Sequence, residues 1–376
     1  MRIAIATAGL FHVLDLAREL AELGHDVRFY SYVPRKRARR FGLPRNCHVA
    51  LLPFAAPIVA WQYLAPRLLS RLRERLLYAV LNAVVILRLQ PCDVFICMSG
   101  IYLEAARYAK GRYKSAIWLH RGSQHILAQD EILAAIPGAE RPTEHTIRRE
   151  CEGYALADRV VIPSRHVQQS FLRDPNAYEK LFLNPYGVDI RMFPERPRSP
   201  PHTPIISLFV GIWCLRKGCD LLLEAIRSSG GIRLIHVGSI GDLDFPTSDE
   251  RFVHLNHVNQ DALTDHYAAA DLVVLPSRED GFGVVLSQAL ATGLPIICTD
   301  RTGGADLAQN PALAERVTVV KAGDIGALTA ALIAWRDRLA TGEVPARLCE
   351  ADRQLLSWKG YGRRHHEELM RTVGLG

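Results

Sequence analysis

The sequence has eight cysteines but no Cys-x-x-Cys pair and no Cys/His ligand spacing. That argues against a disulfide-stapled scaffold or a structural zinc site, and predicts cysteines that fill core space. No Gly-x-Gly-x-x-Gly follows either early strand, which removes the sequence feature expected of a nicotinamide-dependent oxidoreductase. Nor does any apolar run reach the ~20 residues of a membrane-spanning helix. The most apolar tract, residues 49–65, is broken by Pro53, Pro57 and Gln62, with Pro66 just beyond. Residues 1–6 run into a turn at Gly9 too soon for the apolar core of a signal peptide, so a cytoplasmic location is expected. The basic charge comes without zinc-finger spacing or interleaved aromatics, so nucleic acid is not an expected partner.

What is present suits a folded protein of two compact halves: 376 residues, 49% hydrophobic and 23% charged. The net charge of +7 is unevenly placed. Residues 1–200 hold 29 Lys/Arg against 18 Asp/Glu, while the remainder holds 17 against 21. The densest basic runs are 35–40 and 67–77, the latter alternating Arg67, Arg71, Arg73 and Arg75 with leucines at roughly helical spacing. Such a helix suits an anionic membrane surface. A solvated charged face or a phosphate-attracting cleft explains the same residues.

Short apolar runs bounded by turn residues alternate with helical patterns along the whole chain, the signature of parallel β-α-β units and an α/β fold. Strands are expected at 2–6, 26–31, 93–98, 115–119 and 159–162 in the first half. In the second half they are expected at 205–210, 233–237, 272–275 and 295–298. An amphipathic helix at 13–23 closes at Gly24. The segment 194–204 has five prolines and reads as a stiff linker. The expected domains are therefore 1–195 and 205–356, with a last helix within 357–376.

The richest segment runs from Leu275 through Glu279-Asp280-Gly281-Phe282-Gly283-Val284 to Gln288 and on to Ile297. A buried strand would lead into a tight acidic turn and then a helix starting in the glycines. N–H groups freed at Gly281, Phe282, Gly283 and Val284 suit a diphosphate or sugar hydroxyls. Asp280 can accept hydrogen bonds from a sugar, and Gln288, two turns along, can reach a ribose. Upstream, a strand ending at Gly211 leads to Arg216-Lys217-Gly218, where two cations at a helix start would face incoming phosphates.

These segments resemble the family-four retaining glycosyltransferases, in which an acidic residue precedes Gly-aromatic-Gly and a Glu follows eight positions later. The resemblance implies a GT-B fold, two Rossmann-like domains with parallel sheets facing a central cleft. By the same resemblance Asp280 would hold the donor sugar, the glycine loop its hydroxyls and phosphate, and position 288 the ribose. Two departures stand out: Gln288 where the family usually has Glu, and Ile212 where it frequently has Arg. The stretch 253–258 resembles the loop whose backbone, near Val258, meets the nucleobase, with His257 at the usual glycine. Residues 157–164 and 186–193 resemble structural segments of the first domain and linker. The helix after Trp358 would cross back onto the first domain.

On the acceptor side, Gly9 lets the backbone approach a ligand, with Leu10, Phe11 and His12 lining that loop. His120 ends an expected strand, followed by Arg121 and Gly122, at the strand terminus where ligands gather in open α/β sheets. The family often has a His near the reacting carbon there, so His120, Asp280, Lys217 and Arg216 are the expected catalytic set. Gly9, His12, Arg121 and His125 are acceptor-side candidates. The implied reaction uses a nucleotide diphosphate-sugar and no further cofactor or metal. Asp242-Leu243-Asp244 has the spacing of a metal-binding pair but reads as a solvated loop. Expected partners are the sugar donor, a glycan or lipid-linked acceptor and an anionic membrane surface. A non-catalytic sugar-nucleotide-binding homologue or membrane scaffold, and a sugar-nucleotide epimerase of the same architecture, are the alternatives.

Overall fold

The computed structural model describes residues 1–9, 11–54, 70–195 and 200–373, leaving aside the side chains at 70, 71, 73, 260 and 261. Seven strands form the first sheet: β1 (Arg2–Thr7), β2 (Asp26–Ser31), β3 (His48–Ala50), β4 (Val94–Met98), β5 (Ala116–His120), β6 (Arg159–Ile162) and β7 (Leu181–Leu183). The second sheet has β8 (Ile205–Val210), β9 (Ile232–Val237), β10 (Phe252–Leu255), β11 (Leu272–Leu275), β12 (Ile296–Thr299) and β13 (Val317–Val320). The orders are β3-β2-β1-β4-β5-β6-β7 and β10-β9-β8-β11-β12-β13. The β1–β4 and β8–β11 pairs are both parallel. Each sheet therefore reverses strand order once, between β1 and β4 and between β8 and β11, and leaves a crevice at its carboxyl end. This is the GT-B fold.

Along β1 the pleat divides the core. Ala4 and Ala6 join one buried cluster, Ile3 and Ile5 another, so both faces of the sheet are covered. Six of the eight cysteines are buried, with Cys151 half-buried and Cys349 exposed. Four strands, β3, β7, β10 and β13, were not among those expected. They are three or four residues long and lie at or beside sheet edges. There a strand makes too short an alternation to stand out. One of them, β10, occupies part of the stretch expected as a loop, which now starts after Leu255. The first helix, His12–Glu22, starts and ends one residue earlier than expected, and the last, Trp358–Thr372, falls within 357–376.

The chain passes between the two sheets twice, and the two crossings pair. Val188 N–H donates to Leu356 O (2.7 Å) and Trp358 N–H to Val188 O (3.2 Å). A β-carbon on Gly187 would lie 2.6 Å from Ser357 backbone, so only glycine fits there. Beyond this point Trp358, Tyr361 and Leu369 bury in the first sheet's core, and Gly362 lets the helix approach Glu19. No helix among the described residues is long and apolar enough to cross a membrane. Leu10, Arg67 and the side chains of Arg71 and Arg73 lie outside the described residues. Leu72, Leu76 and Leu87 of the helix Ser70–Arg88 are exposed.

Candidate functional site

A cleft of about 1350 Å³ lies between the carboxyl ends of the two sheets. Its second-domain wall includes His257, Val258, Asn259, Val284 and Gln288; its first-domain wall includes His12, Asp15, Arg121 and Tyr186. The basic helix Arg35–Arg40 supplies Lys36, Arg37 and Arg40 to the same cleft. Of the readings open for that run, the structure places it at the cleft.

The acidic turn follows β11 and ends at Gly283, whose φ of +79° favours glycine and which caps the helix Val284–Ala291. The first N–H groups of that helix have no intrahelical acceptor. Before it, the Asp280 carboxylate accepts an ion-paired hydrogen bond from Lys217 Nζ and another from Phe282 N–H. Burial works against ionisation of Asp280, yet Lys217, Arg216 and the amide together hold its carboxyl below the usual value. Lys217 reaches it because the turn Leu215–Lys217 closes on Gly218, φ +69°. A β-carbon on Gly218 would lie 2.1 Å from Pro276 O. The basic and acidic turns thus pack backbone to backbone.

Arg216 does not point the same way. Its guanidinium bonds Glu279 through both the carboxylate and the carbonyl oxygen, each at 3.2 Å. Glu279 is fully buried and also accepts from Gln124 N–H (3.3 Å) and Gln129 Nε2 (3.1 Å) of the first domain. A buried carboxylate with this many donors is well satisfied. Glu279 was not anticipated as a site residue; its signal was only a second acid beside Asp280.

The glycine turn is gripped from the other side. Ser164 donates to Gly281 O (2.5 Å), and His166 Nε2 donates to Asp280 O (2.6 Å). Gly281 rests on the carbonyl of Gly122, where a β-carbon would come within 1.6 Å. Asp280, Lys217, Arg216, Gly281, Phe282 and Gly283 therefore gather at one point, just behind the cleft wall formed by Val284 and Gln288. Gln288 Oε1 accepts from the buried Tyr267 hydroxyl at 2.9 Å. Val258 lies on the same wall, in the loop after β10.

On the other wall His12 faces the cleft, but His120 is only 1% exposed and sits behind it, His12 Nε2 to His120 Nδ1 at 2.9 Å. Burial pushes the His12 imidazole down to about 3 and His120 well below the usual range. Arg121 lines the cleft while its guanidinium holds Glu150 (2.9 Å), Gln124 O and Gln129. His125 is not brought to the cleft: its ring packs against Tyr154 and Phe171. Gly9 forms the turn before His12, its carbonyl accepting from Thr7 Oγ1. Asp15, unanticipated, lines the cleft with burial pushing its carboxyl up to about 6 against the pull of Arg18. Asp242 accepts from Leu215 N–H at 2.8 Å and from Glu140 N–H of the first domain at 3.4 Å.

Two family models match the chain, one described as Glycosyltransferase Family 4 over residues 11–191 and one as Glycosyl transferases group 1 over residues 204–337. The chain belongs to the family-four, group 1 glycosyltransferases. Among curated members, the D-inositol 3-phosphate glycosyltransferase of Xylanimonas cellulosilytica is 28% identical over 204 residues, 46% of this chain and 48% of that one. The GDP-mannose-dependent alpha-mannosyltransferase of Mycobacterium tuberculosis is 29% identical over 163 residues, covering 41% and 42%. The chain thus spans about half the length of these curated relatives. A sucrose-phosphate synthase from Thermosynechococcus elongatus shares the fold over all of both chains, with TM-score 0.68 at 16% identity. Anabaena HepE in complex with UDP and glucose aligns with TM-score 0.67 at 14% identity, over 99% of this chain and 100% of that one. In this family member, the matched group 1 region spans both turns of the acidic-basic pair.

Proposed function

We propose that the protein is a retaining, metal-independent glycosyltransferase that moves a sugar from a nucleotide diphosphate-sugar to an acceptor hydroxyl. The observation that carries this reading is the Asp280–Lys217 pair held beside a glycine-capped helix start, just behind the wall of a cleft between two Rossmann-like domains. A donor diphosphate would exchange the carboxylate for itself at Lys217, and free N–H groups at Gly283 and Val284 would share its charge. Asp280, once released, can accept from sugar hydroxyls. Charge building on the departing phosphate would be met by Lys217 and the helix N-terminus. The acceptor hydroxyl would attack from the same face and pass its proton to the leaving phosphate oxygen. Val258 would meet the nucleobase and Gln288 the ribose. Arg216, committed to Glu279, would act by holding the acidic turn.

A thermal-shift screen against UDP-, GDP-, dTDP- and ADP-sugars tests the donor site. One nucleotide series should stabilise the protein, and Asp280→Ala and Lys217→Ala should both weaken the effect. Gln288→Glu keeps the bond from Tyr267 and makes the ribose contact charge-assisted, so it should tighten binding by about 1 kcal/mol, roughly fivefold in Kd. No shift with any donor at millimolar concentration would favour a non-catalytic homologue, the reading that Gln288 and Ile212 support.

The acceptor we propose is a glycan or lipid-linked precursor in surface polysaccharide biosynthesis, with the protein cytoplasmic and peripheral at the inner face of the membrane. Exposed Leu72, Leu76 and Leu87 on a helix that also carries Arg75 support this. The protein should sediment with anionic vesicles at low salt, and replacing Arg67, Arg71 and Arg75 by glutamine should release it. Unchanged sedimentation would remove the membrane from the reading.

A further inference from the structure

The two acids of the donor turn have different partners. Asp280 holds Lys217, whereas the neighbouring Glu279, fully buried, turns its carboxylate toward the first domain. Glu279 Oε1 accepts from Gln124 N–H at 3.3 Å, and Oε2 accepts from Gln129 Nε2 at 3.1 Å and Arg216 Nη1 at 3.2 Å. Both first-domain partners also grip Arg121, which lines the cleft on the acceptor-side wall. Gln124 O accepts from Arg121 Nε at 2.9 Å, and Gln129 Oε1 accepts from Arg121 Nη2 at 2.7 Å. The third contact, Nη1 to Glu150 Oε1 at 2.9 Å, stays within the first domain.

The link through Gln129 has one polarity. Its amide oxygen must face the guanidinium and its nitrogen the carboxylate, because the opposite orientation sets like against like at both ends. Glu279 therefore fixes the Gln129 amide, and that amide fixes Arg121 Nη2. An ion pair at Nη1 alone would leave the planar guanidinium free to turn about that corner, so the bonds at Nε and Nη2 settle its plane. Gln124 is the lesser arm, since Ser170 Oγ also anchors its loop by accepting from His125 N–H at 2.8 Å. Burial opposes the charge on Arg121, with Glu150 and Glu279 among the groups that offset it. An arginine carries five N–H groups, and these three bonds leave two without a partner among the described residues.

We infer that Glu279 is a positioning residue: from the donor domain it sets, chiefly through Gln129, the guanidinium plane of Arg121, so that Arg121 is aimed at an acceptor hydroxyl only with the two domains together. Adjacent carboxylates thus divide the work, Asp280 toward the donor and Glu279 toward the acceptor wall. What Arg121 meets rests on the proposed glycosyltransferase reading; the link from Glu279 to Arg121 does not. Closure itself does not depend on Glu279, because Ser164, His166 and the Gly122–Gly281 approach grip the same turn by its backbone.

Nitrogen-15 NMR of the arginine side chains in the full chain, with Arg121 assigned by its loss in Arg121→Lys, tests this. In the parent, the fixed guanidinium should give separate, slowly exchanging Nη–H signals. Glu279→Met keeps the volume and removes all three acceptor contacts, so those signals should merge and their exchange quicken about tenfold, with the radius of gyration unchanged. Gln129→Glu sets two carboxylates face to face and should disturb Arg121 as much. Combined with Glu279→Gln, the same change reverses donor and acceptor along the link, leaves an oxygen for Gln124 N–H, and should restore the Arg121 signals. In a transfer assay, Glu279→Met should lower kcat about tenfold with donor KM within about twofold, and the paired exchange should recover most of it. Unchanged Arg121 signals in Glu279→Met overturn the inference, as does a paired exchange no better than Gln129→Glu alone. So does an expanded Glu279→Met chain, which would make Glu279 a closure latch. Should the parent transfer no sugar at all, the functional reading fails while the Arg121 result stands.

Discussion

Lys217→Ala is expected to weaken donor-dependent stabilisation and to cost the free protein about 3 kcal/mol, because it strands the Asp280 carboxylate in a mostly buried site. The cost should depend on pH. In the parent, Asp280 titrates below its ordinary value of 3.8, so its stabilising contribution is present above that value and fades as pH falls through the lower, folded one. Without Lys217, burial, the largest influence on this group, is opposed only by Arg216 and the Phe282 amide. The rise in stability from pH 3 to pH 5 should flatten or reverse. Chemical denaturation of parent and variant across that range measures it. A parallel rise in both would mean that the pair does not set the ionisation of Asp280.

Gly281→Ala should be as damaging for a different reason. The added β-carbon would fall 1.6 Å from Gly122 O and 2.4 Å from its carbonyl carbon. No rotamer relieves a contact between two backbones, so either the turn distorts or the domains part. Overpacking of this kind costs about 1–3 kcal/mol, and the loss of closure should lower transfer at least 100-fold. Gly323→Ala is the matched control. Its φ of +85° is strained for alanine, but nothing lies within 4 Å of the new β-carbon. It should lose only about 1 kcal/mol, with transfer unchanged. Thermal melts together with small-angle scattering separate the outcomes. Equal behaviour of the two variants would show that the Gly122–Gly281 approach is not what holds the cleft closed.

Some of the site is legible in the sequence alone. Asp280, Gly281, Phe282, Gly283 and Gln288 lie within nine residues, so one strand-turn-helix unit must present them together, and the second domain's phosphate side follows from it. The basic turn at Arg216-Lys217 was legible as well, but not its partners. Both cations end on carboxylates 63 residues away, one on Asp280 and the other on Glu279. The first domain was harder. His120 could be placed at a strand end, yet His12, 108 positions earlier, stands in front of it.

By itself the sequence determined the alternation of strands and helices, the two α/β halves and the donor turn. Those rest on hydrophobic period and on turn chemistry, which act over a few residues. Only the tertiary structure decided which side chains reach the cleft and which stand behind it. His365 meets His120 across 245 positions, Tyr267 meets Gln288 across 21, and Ser164 meets Gly281 across 117. Such contacts depend on how whole elements pack, and local propensity carries no record of that packing.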